Sequence, residues 1–396
     1  MTGGSFKIER IGITHTGRLP RRLPLLDQVM ARCDADFDPG THQSAVATAI
    51  DDCVGSQRAA GIGIVADGEE RSGFALYLMD RLSGLEPRPG KALAGFKKKH
   101  GLFLENFERW LRQAIDNGAM ITKVPMRCTG PIEYTGQEDI GRDIANLASA
   151  VTKSKSKGAF MVSIAPGAIE ANSYYPTEQA FREATVEAMR VEYKAITDAG
   201  FFLQIDDPYL PALYADMSLS DAVADRRAAD YIAILNHGLR GLPEDRIRYR
   251  VMGGTVQAAR ALTGRFTEIA KHMLNVKACA YLFEANAARY EEDRDLWRTL
   301  RFPAGKILVP SIVNWTKPGD DNPEAIAARI IGFADRVGRD GIVACAENRG
   351  LAMAHASEGV SKTIWSKMAA LNDGAQRASR QLWRSRPGVA VRAAAA

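Results

Sequence analysis

The segment Phe201–Pro208, FFLQIDDP, runs an apolar strand into Asp206 and Asp207 and stops at Pro208. Two carboxylates at a strand tip are costly to desolvate unless they are paired or used. They are candidates for orienting arginines or moving protons; a helix cap or a salt bridge is the bland alternative. In Arg246–Met252, RIRYRVM, Arg246, Arg248 and Arg250 share one face of a strand. Strand arginines need carboxylate partners, from the protein or from a substrate. Arg250 lies nearest the C-terminal end and is the best functional candidate, with Glu284 or Glu347 as its expected partner. Glu284 in FEAN, and Glu347, Asn348 and Arg349 in AENRG, repeat the theme of acid or amide at a strand tip. Glu69 and Glu70 do so after VAD. Singly these are weak; together they put several acids and arginines at one mouth. Of the six histidines only His15 ends a strand, so only it is a natural base or ligand. No HxH, HxC or HExxH occurs, so spacing supports no zinc site.

These tips need elements to carry them. Apolar, β-rich runs recur at 11–15, 61–67, 121–128, 159–165, 201–206, 247–252, 280–284, 306–313 and 341–346, with helical patterns between several, as at 178–199, 219–239 and 322–337. Ser220 and Asp221 offer capping chemistry, and Pro323 suits a first helical turn. Strands alternating with helices mean parallel β/α units, and polar strand ends predict a closed (β/α)8 TIM barrel with its site at the strand C-termini. Nine runs compete for eight places, and 121–128 is the expected extra. An open dinucleotide-binding sheet is the alternative, weakened because no G-x-G-x-x-G follows the first strand. One catalytic domain over residues 8–383 is expected, with a disordered tail at 384–396. Lys97–Lys99 and Lys153–Lys157 are expected in solvated loops.

The 396 residues are 46% apolar and 25% charged, which excludes collagen, coiled coil and a largely disordered chain. No run approaches the roughly 20 apolar residues of a membrane span, and the N-terminus has no signal-peptide pattern. Five dispersed cysteines without CxxC argue for a reducing compartment, so a cytoplasmic location is expected. A net charge of +5, from 52 basic and 47 acidic residues, is too mild to imply nucleic acid. The expected partner is a small anionic substrate, with neither nucleic acid nor membrane; homo-oligomer formation is left open.

The segments ITHTGRLPR, VADGE, YTGQEDIGRDIANL, APGAIEANSYYPTE, YKAITDAGFFLQIDDP, AYLFEANAARYEEDRDLW and ASRQLW occur in this order. Together the chain resembles short relatives of cobalamin-independent methionine synthase, over roughly residues 8 to 383. The match is to that family's C-terminal catalytic barrel, in the superfamily that also holds uroporphyrinogen decarboxylase and epoxyalkane:coenzyme M transferase. The resemblance implies a catalytic zinc held by His-x-Cys, a glutamate and a late cysteine, which activates a thiol for alkylation. Here His-x-Cys aligns with Arg250-Val-Met252, the glutamate with Glu284, and the late cysteine with Asn348 or Arg349. Three of four ligands are gone, and a guanidinium repels a dication, so no metal is expected. The resemblance also puts Arg18 where the family has serine and Thr316 where it has an acid-supplying histidine. It makes Glu69 the amino-group-binding glutamate and Asp206 the substrate-contacting aspartate. No folate signature is matched, so folate use stays open.

The resulting expectation is a divergent, zinc-free enzyme. Asp206, Glu284, Arg250 and Glu347 would act at the reacting atoms; His15, Arg18, Glu69, Asp207, Asn348, Arg349 and Thr316 would bind substrate. The reaction is C1, methyl or alkyl transfer, as the resemblance implies. Alternatives are cofactor-independent elimination or decarboxylation, which the related decarboxylase performs with arginines and an acid, and a non-catalytic anion-binding barrel. A zinc enzyme with substitute ligands His15, Glu284 and Asp206 is a further reading.

Overall fold

The computed structural model describes residues 10–21, 38–71, 74–87, 98–99, 102–103, 126–169, 171–253, 264–284, 290–314, 322–347 and 358–384. Eight strands form one parallel sheet: β1 (Gly12–His15), β2 (Ile64–Val65), β3 (Gly158–Ile164), β4 (Phe202–Asp207), β5 (Ile247–Val251), β6 (Ala280–Phe283), β7 (Ile307–Asn314) and β8 (Val343–Glu347). Their order is β1–β8–β7–β6–β5–β4–β3–β2. Each strand lies beside its sequence neighbour, and the sheet curls so that the edges β1 and β2 face each other as a nearly closed (β/α)8 barrel. The ninth apolar run lies outside it: Met126–Cys128 pairs with Leu85–Pro87 and Ala171–Asn172 in a separate small sheet.

The helices are α1 (Pro39–Ala59), α2 (Phe74–Arg81), α3 (Gln137–Ser154), α4 (Glu178–Asp198), α5 (Tyr209–Ala215), α6 (Asp221–Gly238), α7 (Phe266–Met273), α8 (Tyr290–Thr299), α9 (Pro323–Val337) and α10 (Glu358–Arg384). Their starts follow from capping chemistry. Asp38 accepts from the amides of Gly40 and Thr41, Thr177 from Ala180, and Asn322 from Ala325, with Pro323 in the first turn of α9. Ser220 caps α6 only through its carbonyl, which takes the amides of Val223 and Ala224; its hydroxyl bonds no amide there. Two expected loops are ordered otherwise. Lys153 sits in the last turn of α3, and Lys98–Lys99 pairs with Leu102–Phe103 as a short hairpin.

The main core fills the space between strands and helices. Alternate strand residues point inward instead, and there Ala280, Leu282, Val309 and Cys345 form one small cluster, Ala66, Phe160 and Val162 another. Among the described residues no helix is long and apolar enough to cross a membrane. Of the expected tail at 384–396, Arg384 is instead the last residue of α10; residues 385–396, like the start of the expected domain at residues 8 and 9, lie outside the described residues.

Candidate active site

Strand register places the predicted tips at one end. Arg250 stands beside Asp206 on one side and Leu282 on the other, so Glu284, just past β6, shares their end. Glu347 closes β8 beside Asn314 at that same end.

β1 and β2 do not pair directly among the described residues. Side chains join them at the C-terminal end of this seam. The Gln57 amide binds the backbone of Ala66 as a peptide would, donating to its carbonyl (2.6 Å) and accepting from its N–H (2.8 Å). Its Oε1 also lies 2.9 Å from His15 Nε2. His15 Nδ1 accepts from the Gly17 amide at 3.1 Å, which leaves the proton on Nε2. Both ring nitrogens are therefore engaged. Burial outweighs the Gln57 bond and draws the His15 pKa down to about 4, so the ring is neutral at ordinary pH. His15 ends its strand as the sequence suggests, but it braces the seam and has no nitrogen to offer a substrate or a metal.

Above the seam the two following loops meet. The Leu19 amide donates to Gly68 O at 3.2 Å, and Arg18 holds Glu69 Oε2 through Nε (3.0 Å) and Nη2 (2.8 Å). Gly17 has φ +116°, and a Cβ there would meet Val162 Cγ2 at 2.5 Å, so only glycine turns the chain this tightly toward Glu69. Glu69 itself has φ +61°, in the left-handed region that a side chain rarely adopts. Such strain of about 1–3 kcal/mol persists where the surroundings over-determine it. Here Glu69 N donates to Asp67 Oδ1 (3.1 Å), and Asp67 is ion-paired with Arg71, which also donates to Val162 O.

Across the mouth, Asp206 Oδ2 takes Arg250 Nη1 at 2.7 Å, and Oδ1 takes Gln204 Nε2 at 2.9 Å. Gln204 also donates to Thr16 O, tying β4 to the β1 loop. Asp206 and Glu69 are pushed in opposite directions. Burial raises Asp206, Arg250 only partly offsets this, and the Glu69 charge raises it further. Burial also raises Glu69, but Arg18, Arg21 and Arg71 outweigh it and hold Glu69 below the ordinary carboxylate range. Two acids driven apart in this way divide proton-holding from fixed negative charge.

Arg18, Glu69, Asp206 and Arg250 are therefore brought together, with Asp206 as one partner of Arg250. Glu284 is half-buried beyond β6. Asp207 goes elsewhere. It faces the helices and accepts from Tyr249 Oη and from the amides of Tyr209 (2.7 Å) and Leu210 (3.2 Å), in full burial. That makes it a start-of-helix anchor for α5, on the sheet face opposite Asp206. Arg248 lies one layer below the mouth, over the Phe160 ring. Thr316, Asn348, Arg349 and the Glu347 side chain lie outside the described residues. Sequence reading missed Gln204 and Gln57. Gln204 was legible as the residue two before Asp206, on the same strand face; Gln57, far along a helix, had no local signal.

The donor set does not fit the zinc that the resemblance implies. Its His-x-Cys position carries Arg250 and Met252, and the Arg250 guanidinium, a donor without a lone pair, lies on Asp206. Among the described residues no group of three His, Cys, Asp or Glu side chains could hold a metal ion.

The fold is that of known barrels. Over 95% of this chain and 99% of the other it is similar to a B12-independent methionine synthase from Shewanella sp. W3-18-1 solved with selenomethionine, with a TM-score of 0.68 and 16% identity. A putative vitamin-B12 independent methionine synthase from Listeria monocytogenes aligns over 94% of this chain and 99% of its own, with a TM-score of 0.63 and 16% identity. No protein-family model matches the chain, and no curated protein sequence matches it.

Proposed function

We propose that this chain is an enzyme that transfers a methyl or other alkyl group to or from a small anionic substrate, without a zinc held in the manner of methionine synthases. The observation that carries this reading is the pairing of Arg18 with Glu69 and of Asp206 with Arg250 around one mouth, with the two carboxylates pushed apart in acidity. Arg18 and Arg250 would orient the anionic end of the substrate, since a guanidinium fork suits a carboxylate. Glu69 would hold an amine or hydroxyl. Asp206, which keeps a proton more readily than an exposed aspartate, would take the acceptor's proton. The acceptor's freed electron pair then forms the bond to the donor's alkyl carbon. The donor, an alkylated nitrogen or sulfur compound, departs with the pair of the broken bond.

The raised pKa of Asp206 beside Arg250 favours a second reading, a cofactor-independent decarboxylation or elimination in which Asp206 delivers or removes the proton. The test is a panel of small amino, hydroxy and thiol carboxylates, assayed by mass spectrometry for alkylated or decarboxylated product, with and without alkylated donors. Turnover that Arg250→Ala abolishes and Arg250→Lys restores poorly supports the reading, because an ammonium lacks the fork. Turnover unchanged in both variants, with the fold intact, overturns it. Saturable binding without turnover points to an anion-binding barrel.

A further inference from the structure

A cavity of about 670 Å³ lies at the end of the barrel opposite the mouth. Gly12, Ile64, Phe202, Ala280, Ile307 and Val343, the first residues of six strands, line it. Ile13 and Thr14 of β1 also line it, and residues of α10 complete its wall. Its size suits a small-molecule site, and its strand walls are apolar.

Three arginines line it: Arg10 and Arg380 are exposed, and Arg248 alone of the three is buried. Arg248 lines the cavity and is only 6% exposed. Its guanidinium lies 3.9 Å over the centre of the Phe160 ring and bonds through Nη2 alone, to Thr14 Oγ1 (3.2 Å) and His15 O (3.4 Å). Among the described residues its Nε and Nη1 make no hydrogen bond and no carboxylate is within ion-pair distance. Asp206 acts on it only through space and is itself engaged with Arg250 and Gln204. The nearby Cys279 thiol is driven up to about 11 by burial and does not neutralise it. Burial draws Arg248 down to about 10, so it stays cationic at neutral pH. A buried guanidinium with two open donor positions is costly unless an anion completes it.

We infer that the cavity beneath the barrel is a second binding site, distinct from the mouth, for a small carboxylate with an apolar tail. The carboxylate would take the open Nε and Nη1 edge of Arg248, and the tail would lie against Ile64, Phe202, Ile307 and Val343 toward α10. The fork geometry selects a planar two-oxygen anion over a hydroxyl of equal length, and the walls select against a carboxylate without a tail.

Isothermal titration of the full chain with octanoate, octanol and acetate tests this. Octanoate is expected to bind one to one, and octanol and acetate about tenfold or more weakly. Arg248→Met should lower octanoate affinity by about tenfold or more. Because that variant alters the barrel interior, Gly63→Leu is the second probe. Gly63 lines the cavity, has an ordinary backbone conformation, and a Cβ there meets nothing within 4 Å. Its leucine should fill the cavity and block octanoate while the melting temperature is kept. Arg18→Ala, at the opposite end, should leave octanoate affinity unchanged. No octanoate binding by the parent, equal binding in Gly63→Leu, or loss of binding in Arg18→Ala would overturn the proposal, and none of these results bears on alkyl transfer at the mouth.

Discussion

Asp206 and Asp207 are adjacent on β4 and point to opposite faces of the sheet, one pairing Arg250 at the barrel mouth and the other anchoring Tyr249 and the start of α5. The pleat demands this division, since successive side chains alternate. It separates two phenotypes. Asp207→Ala leaves a buried hydroxyl and two buried amides without their acceptor, and should cost about 3 kcal/mol or more of stability. Asp206→Asn keeps the shape and the Gln204 contact region, so it should lower turnover or ligand binding with little loss in denaturant midpoint. Equal destabilisation by the two substitutions would show that Asp206 is structural as well.

Glu69 combines a strained backbone with a position at the mouth. Glu69→Gly relieves the left-handed conformation while removing the carboxylate, whereas Glu69→Ala removes the carboxylate and keeps the strain. The glycine variant is expected to be more stable than the alanine variant by about 1 kcal/mol, and both should lose activity alike. Urea unfolding of the pair checks it; an alanine variant as stable as the glycine one argues that the loop relaxes and that φ +61° is not imposed.

The barrel was legible because its strands are apolar runs that end in polar tips, and that pattern depends only on local order. The partners of those tips were not. Arg250 meets Asp206 because β4 and β5 are in direct register, and register between strands more than 40 residues apart leaves no local trace. Reading Asp206 and Asp207 as a pair ignored the pleat, which is the one rule that would have sent Asp207 outward. Arg248 and Arg250 do share a face, as their spacing says, yet the two-residue rise puts Arg248 in the layer below, over Phe160. His15 looked like a free base because its partner, Gln57, comes from the last turn of α1, more than 40 residues away.

Stability should depend on pH with two opposing slopes. Glu192 on α4 is fully buried, accepts from Tyr134 Oη at 2.7 Å, and is driven up to about 8 by burial despite the charge of Arg71. Between the ordinary glutamate value and about 8 the folded chain keeps a proton that the unfolded chain has released, so stability falls as pH rises through that window. His15, held down to about 4, works the other way. Between 6.5 and about 4 only the unfolded chain takes up the proton, so stability falls as pH drops. Across either window a site that titrates in only one of the two states changes stability by about 1.4 kcal/mol for each pH unit. Denaturant midpoints across pH should show Glu192→Gln flattening the alkaline side and His15→Gln the acid side. A Glu192→Gln profile parallel to the parent's above pH about 6.5 would mean that Glu192 ionises normally.

The last expectation concerns metal. Arg250 lies on β5 and Met252 just past its end, with Glu284 following the neighbouring strand at the same end. In this chain that place offers a guanidinium already held by Asp206, a thioether and the Glu284 carboxylate, and a guanidinium has no lone pair for a dication. Protein purified without chelator should therefore carry far less than one zinc per chain. Replacing Arg250→His together with Met252→Cys removes the charge and supplies an imidazole and a thiolate, the donors zinc prefers. The double variant should gain zinc, read by elemental mass spectrometry and by a zinc-dependent rise in melting temperature. Adding Glu284→Gln to it should weaken that gain. Stoichiometric zinc in the parent, lost on Glu284→Gln, would instead mean that the mouth assembles a metal site around Arg250, and the zinc-free reading of the chemistry would fall with it.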